Sequence, residues 1–184
     1  MFDKKFSYKI SNPIKTQTVS ENGEKKAEFY KIKVGNKKIP YIIRLDYFEL
    51  NVVFIKFYHS KYSSDKDKFK HRYNNNLPLT RIVSTCMLLC EKKINKNPEL
   101  LFFFYGQWDN KDVERKLKMS QRFKLYSTTV VSKIDENKYK HLKIEKLNVH
   151  GFIPSELYNK QLENDLVNYF DKLFGDKIQE LIIP

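Results

Sequence analysis

The segment from Leu79 to Trp108 constrains the fold more than any other part of the chain. It opens with apolar residues at helical spacing and reaches Asn97-Pro98, where proline cannot continue a helix. Six consecutive apolar residues follow, from Leu100 to Tyr105. A strand without polar alternation is typical of a strand buried on both faces, with helices covering the sheet. The segment therefore predicts the centre of a domain that contains both helices and strands.

Alternating apolar residues in the first third predict an antiparallel β-meander. We expect short strands over 6–10, 30–34, 39–45 and 52–58, where apolar side chains recur at every second position. Gly35-Asn36 supplies a turn between the second and third of these strands. The fourth has apolar residues on both faces, so we expect it inside the sheet.

The second half is predicted to alternate helices with strands. After the apolar strand, helical spacing indicates a helix over 111–134, either continuous or broken near Ser120. A further strand is expected over 142–149. The last helix would start after Ser155, which can cap it, and would end at Gly175 in the C′ position.

These elements predict a single domain over residues 1–184 of the α+β class. Its N-terminal antiparallel β-meander is followed by α-β-α-β-α, and the strands form one mixed sheet with helices packed on it. The apolar C-terminal tail, 176–184, is expected to dock as an edge strand or to join a partner chain.

The charge of the chain favours a polyanionic partner. Its formal net charge is +13 and its pI is near 9.5. From Ser155 onward there are three lysines and six acidic residues, a net −3, so the remainder carries +16. We therefore expect an anion to bind away from the last helix.

A long basic loop over 59–76 is the first candidate binding site. Its length exceeds that of ordinary connections. Basic residues alternate in it with aromatic ones, a combination that single-stranded nucleic-acid binding uses for phosphate neutralisation and base stacking. A solvated loop in a lysine-rich chain is the alternative. The candidate residues are Lys61, Lys66, Lys68, Phe69, Lys70, Arg72 and Tyr73.

The predicted helix over 111–134 supplies the second candidate site. On a helical wheel, Lys111, Arg115, Lys118 and Arg122 fall within an arc of roughly 60°. Such a stripe is either an anion-binding surface or a solvated face. It exists only if the helix is continuous.

The motifs of known chemistries are missing from the sequence. It has no nucleophile elbow, no P-loop and no zinc-protease helix, and its four histidines lack metal-ligand spacing. Cys86 and Cys90 are one helical turn apart on the apolar stripe, which predicts buried free thiols. We therefore predict no catalytic residue, no metal site and no cofactor. A metal-independent ribonuclease built on a histidine and a lysine is compatible with the sequence.

The N-terminus lacks an apolar leader and no window approaches eighteen apolar residues. Together with the unpaired cysteines, this predicts a cytoplasmic protein that does not enter membranes.

Two short motifs flank the apolar strand. Arg81-Ile82-Val83-Ser84-Thr85 lies on the preceding helix, and Arg122-Phe123-Lys124-Leu125-Tyr126 follows the strand. Over Asn76 to Val131 this arrangement resembles a group of uncharacterised proteins from Bacteroidota and their phages. The group has no established activity to transfer.

The order of elements is similar to a GNAT-type acyltransferase fold. That resemblance implies acyl-CoA binding on a glycine-rich loop at a helix N-terminus. The matching segment here is Gly106-Gln107-Trp108-Asp109-Asn110, with one glycine, a bulky tryptophan and an acidic residue that would repel pyrophosphate.

These observations favour a non-catalytic binding protein that engages RNA or a ribonucleoprotein. The phage-like resemblance implies an anti-defence role, most concretely an anti-CRISPR inhibitor of a nucleic-acid-handling effector. One alternative is a divergent GNAT-type acyltransferase. Another is a structural or assembly protein that self-associates through its C-terminal tail.

Overall fold

The computed structural model describes residues 13–17, 24–34, 38–69, 79–106, 119–132 and 134–182, with side chains for all of these except 79, 80 and 175–182. These residues form strands and helices of the α+β class, which confirms the predicted class. The chain divides into two compact units, Met1–Leu100 and Leu101–Pro184. The single domain over 1–184 stays a prediction.

The first unit is built on consecutive antiparallel strands, which confirms the predicted β-meander. Each strand pairs with the next one along the chain. The register places Phe29 beside Arg44, and Arg44 beside Lys56. The strand predicted over 6–10 lies outside the described residues. The strands are β1 (Lys15–Gln17), β2 (Lys26–Val34), β3 (Ile39–Tyr47) and β4 (Val52–His59).

A tight turn sets the register of β3 and β4. Leu50 and Asn51 have φ of 54° and 55°, the left-handed backbone of two-residue hairpin turns. The amide of Val52 closes the turn by donating to the carbonyl of Glu49 at 3.0 Å, and the amide of Phe48 donates to the carbonyl of Val52 at 2.8 Å. The register of the two strands therefore depends on a strained conformation at a leucine.

Helix α1 (Leu79–Ile94) completes the described part of the first unit. Cys86 and Cys90 are fully buried and free, as predicted, and burial raises the pKa of both thiols. The buried residues recur at helical spacing and form its core face: Ile82, Val83, Cys86, Met87, Leu89, Cys90 and Ile94.

The second unit contains a three-stranded antiparallel sheet. Strand β7 (Val149–Pro154) lies between β5 (Leu101–Tyr105) and β6 (Tyr139–Ile144) and pairs with both. Its helices are α2 (Gln121–Val131) and α3 (Lys160–Ile182).

The prediction of one strand over 142–149 is wrong, because two strands joined by a turn occupy this region. A short 3-10 turn, Glu145–Leu147, follows β6, and Asn148 then takes a left-handed conformation with φ 52°. Asparagine tolerates this backbone better than most residues, so the chain reverses there without a glycine. The second half therefore contains one strand more than predicted.

Strand β5 is covered on both faces within the second unit, as its sequence predicts. Phe103 packs edge-on against Phe170 of α3, with ring centroids 4.7 Å apart. The next residue, Phe104, points the other way and contacts Tyr126 of α2 at 5.4 Å. The apolar run at 100–105 thus corresponds to a strand between two helices.

Helix α2 begins after Ser120, so the helix predicted over 111–134 is not continuous through this position. Ser120 has an extended backbone, and its hydroxyl oxygen accepts a hydrogen bond of 3.0 Å from the amide of Phe123. The same hydroxyl donates to the carbonyl of Gly106 at 2.6 Å, and the Ser120 amide donates to the Asn148 side chain at 2.8 Å. The helix start is therefore joined to the end of β5 and to the β6–β7 turn.

Two predictions for the last helix are wrong. Ser155 lies in a turn, and the cap is Asn159, whose side-chain oxygen accepts from the amide of Leu162 at 2.8 Å. The helix does not end at Gly175 but continues to Ile182, so the tail is not an edge strand. Its apolar residues keep helical spacing past Gly175, and one glycine inside a helix costs only about 1 kcal/mol.

Candidate nucleic-acid interface

One buried carboxylate of the first unit is fully occupied by internal donors. Glu28 on β2 receives the ammonium groups of Lys26 and Lys93, at 2.6 and 2.5 Å. The hydroxyls of Tyr30 and Tyr47 donate to it at 2.7 and 2.9 Å. Burial by itself raises the pKa of Glu28, but the four donors outweigh it and lower the pKa to about 2. Glu28 is therefore a structural anion that links β2, β3 and α1.

A second group of buried charges lies on the other face of the sheet. The buried carboxylate of Asp46 meets Arg44 Nε at 2.5 Å and Lys56 Nζ at 2.9 Å. Arg44 also contacts the buried carboxylate of Glu24 at 3.0 Å. These two anions and two cations compensate one another. Lys56 still keeps 29% of its side chain exposed.

Because the buried carboxylates are neutralised internally, other lysines determine the surface charge of the first sheet. Lys31 and Lys33 on β2 are exposed and alternate with buried Ile32 and Val34. No carboxylate of the described residues pairs with either of these lysines. The strand thus presents two cations side by side on the face that also holds Arg44.

A row of cationic and aromatic residues crosses this face perpendicular to the strands. Lys15, Phe29, Arg44 and Lys56 are successive register partners on β1, β2, β3 and β4. The Phe29 ring has Lys15 Nζ at 5.8 Å and the Arg44 guanidinium at 5.5 Å from its centroid. Lys56 Nζ lies 5.7 Å from the centroid of Phe69, which extends the row into the loop after β4. These distances are within the range of cation–π interactions.

Two of the predicted loop residues join this row. Phe69 packs edge-on against Tyr58 at 5.2 Å, and Lys68 Nζ lies 5.5 Å from the Tyr58 ring. We define the basic aromatic face as Lys15, Phe29, Lys31, Lys33, Arg44, Lys56, Lys68 and Phe69.

The two other candidate residues of the loop that the structure describes, Lys61 and Lys66, lie outside the basic aromatic face. Lys61 covers the ring of Tyr62 at 4.6 Å, and that ring is 6.0 Å from His59. His59 pairs with Tyr41 and points to the opposite face from Tyr58, so Lys61 is not part of the basic aromatic face. Lys66 is exposed in the turns before Lys68.

The predicted basic stripe is not brought together by the described residues. Arg122 lies in the first turn of α2, half-buried, after the break at Ser120. The stripe needs a helix that continues through this position, so Arg122 does not share one helix with the residues before it. The remaining candidates, which lie outside the described residues, stay predictions: Lys70, Arg72, Tyr73, Lys111, Arg115 and Lys118.

Sequence reasoning missed most of the basic aromatic face. Lys15, Phe29, Arg44 and Lys56 are spread over 42 positions, and only the strand register aligns them. Lys31 and Lys33 gave the one readable signal, because their alternation with apolar residues marks a strand with one solvated face.

The second unit contains a histidine pair in which His150 is buried and His141 is half-buried. His141 Nδ1 and His150 Nε2 are 3.2 Å apart across β6 and β7. The other ring nitrogens, His141 Nε2 and His150 Nδ1, are buried without a hydrogen-bond partner among the described residues. Burial, with the nearby His141 and Lys143, lowers the pKa of His150 to about 3. The pair is therefore neutral at pH 7 and cannot supply a cation for binding.

The described residues contain no group of three or more His, Cys, Asp or Glu side chains placed to hold a metal ion. No helix in the same parts of the chain is long and apolar enough to cross a membrane. Of the segment compared with the acyl-CoA loop, only Gly106 is described. Comparison with protein-family models, with curated proteins and with solved structures finds no match.

Proposed function

We propose that the chain is a non-catalytic protein that binds RNA or a ribonucleoprotein through the basic aromatic face. The observation that supports this most directly is the arrangement of charge in the first unit. Its buried carboxylates are compensated by their own cations, while Lys31 and Lys33 remain exposed on one face. The formal net charge of +13 agrees with a polyanionic partner.

A polyanion gains free energy at such a face mainly by releasing its condensed counterions. Lys15, Lys31, Lys33 and Lys68 are the cations of the face that are not committed to Glu24 or Asp46. If each neutralises one phosphate of a single strand, log K should fall with log salt with a slope of about −3.

The concrete form of this proposal is an anti-defence protein of a phage or mobile element that acts in the cytoplasm. By covering the guide RNA or the nucleic-acid groove of a CRISPR effector, the face would block the approach of target strands. The small size, the basic charge and the phage-like pattern around Arg81 and Arg122 support this form.

Charge reversal tests the proposal. Lys31→Glu with Lys33→Glu changes two cations of the face, and Lys92→Glu with Lys96→Glu makes the same change of charge at exposed positions at the end of α1 and just after it. Binding to a fluorescein-labelled RNA is measured by anisotropy at several salt concentrations. We expect the first variant to lose about tenfold or more in affinity and to show a shallower salt slope.

The control variant should stay within about threefold of the unmodified protein, since only distant charge has changed. Equal losses in both variants would contradict the assignment of the face. No binding of RNA by the unmodified chain at low salt would contradict the proposed function itself.

A further inference from the structure

The aromatic rings of the basic aromatic face indicate which form of nucleic acid it accepts. Phe29 and Phe69 are half-buried, so each presents part of an apolar ring among cations. Each ring has two cations within 6 Å of its centroid, namely Lys15 and Arg44 for Phe29 and Lys56 and Lys68 for Phe69. Duplex binding through phosphates would need only the cations.

Phe29 and Phe69 lie at different places along the row of cationic and aromatic residues. Phe29 is on β2, and Lys56, which contacts Phe69, is on β4. Two strand spacings separate these positions, a distance of about 9–10 Å. We therefore assign a different base to each ring.

The cations over the two rings bring phosphate-binding groups close to the stacking surfaces. A cation–π contact at an exposed site contributes about 0.5–1 kcal/mol and holds both side chains in place. Lys15 and Lys68 lie over the rings, so a base that stacks there would move their ammonium groups aside, toward the phosphates that flank it. Unpaired bases have an accessible π-face, whereas bases in a duplex are covered by their neighbours.

We propose that the basic aromatic face binds unpaired RNA, with one base stacked on Phe29 and a second on Phe69. This inference rests on the proposed function and specifies its ligand. The bound strand runs across the strands of the first sheet, along the row from Lys15 to Phe69. The lysines contact its phosphates, and the two rings discriminate single strands from duplex.

The test compares two ligands and two variants. The ligands are a labelled polyuridine of about 12 nucleotides and a duplex of the same length. The variant Phe29→Leu with Phe69→Leu keeps apolar bulk but removes both rings, and Lys31→Glu with Lys33→Glu removes charge. Circular dichroism and the melting temperature establish that each variant is folded.

We expect the single strand to bind about tenfold or more tighter than the duplex at equal salt. The leucine variant should lose that preference while its salt slope stays unchanged, because no charge was altered. The lysine variant should weaken binding of both ligands and reduce the slope. If the leucine variant does not fold, Phe69→Leu alone gives the same comparison at the loop ring.

The outcomes separate the two proposals. Equal affinity for single strand and duplex, or full binding of the single strand by the leucine variant, would overturn the stacking inference and leave phosphate binding in place. Failure of both ligands to bind the unmodified protein would overturn the proposed function as well.

Discussion

His141 and His150 share one contact of 3.2 Å between ring nitrogens, and each leaves its second ring nitrogen buried without a partner among the described residues. One ring must donate in that contact and the other must accept. Whichever does so, one outer nitrogen carries an unused proton and the other an unused lone pair. An additional proton would bind at that unused lone pair, where the new N–H would be buried without an acceptor among the described residues.

Acidification should destabilise the second unit through this pair. The pKa of His150 is about 3 in the folded chain, against an ordinary value of 6.5. Below pH 6.5 the unfolded chain binds a proton that the folded chain does not, so stability is lost as pH falls from about 6.5 towards 3. At pH 5 the loss should be about 2 kcal/mol relative to pH 7. Urea unfolding at both pH values measures it.

His150→Gln removes the titrating group. Between pH 7 and pH 5 its free energy of unfolding should change by about 2 kcal/mol less than that of the unmodified chain. The ordinary pKa of glutamate is 4.5, so Glu28, with its pKa of about 2, loses its contribution only at lower pH. The same pH dependence in both proteins would show that His150 is not responsible.

Glu28→Gln should destabilise the first unit strongly, by about 2–4 kcal/mol, because it leaves two lysines around a neutral side chain. Lys93→Met should cost less, since Lys26, Tyr30 and Tyr47 still donate to the carboxylate. Denaturant unfolding of the two variants gives the comparison. A larger loss of stability for Lys93→Met would mean that the packing of α1 contributes more to the stability of the first unit than the charge of Glu28 does.

Ser120→Ala should cost about 1–2 kcal/mol, because a buried cap and its bond to Gly106 disappear together. Ser132→Ala is a matched control at the other end of α2, where an exposed hydroxyl donates to Thr129 at 2.9 Å. We expect a change of less than about 0.5 kcal/mol there. Equal effects in thermal or urea unfolding would argue against the described role of Ser120.

Gly151→Ala should be poorly tolerated. A Cβ at this position would lie 2.1 Å from the ring of Phe103, so β7 or the ring must move. Overpacking of this kind typically costs about 1–3 kcal/mol. Adding Phe103→Leu should recover part of the loss, so the two substitutions should be non-additive in a double-mutant cycle. Simple additivity would mean that the strand shifts away from the ring unaided.

Local patterns predicted the fold where local chemistry determines it. The apolar run ending at Tyr105 needed cover on both faces and has it, and a helix begins after Ser120, where a break was one of the two alternatives considered. The hairpin at Asn148 was missed because its left-handed residue is not a glycine. The end of α3 was misplaced because Gly175 was read as a stop although the apolar spacing continues beyond it.

The candidate site was harder to predict because it depends on strand register. The strand register places Phe29 beside Arg44 and Arg44 beside Lys56, although these partners are 15 and 12 positions apart in the sequence. A shift of one residue would send each of these side chains to the opposite face. Composition indicated a basic surface, whereas its location followed from pairing between strands.

Because Glu28 is neutralised by donors inside the first unit, ionic strength should affect two properties differently: the binding of a nucleic-acid strand and the stability of the sheet. Contacts between exposed lysines and phosphate weaken steeply as salt is added, but buried ion pairs are screened much less. Raising the salt concentration should therefore detach a bound strand from the first sheet without unfolding that sheet. Salt then acts as a reversible release condition, and a protein stripped of its ligand in this way should bind again after simple dilution.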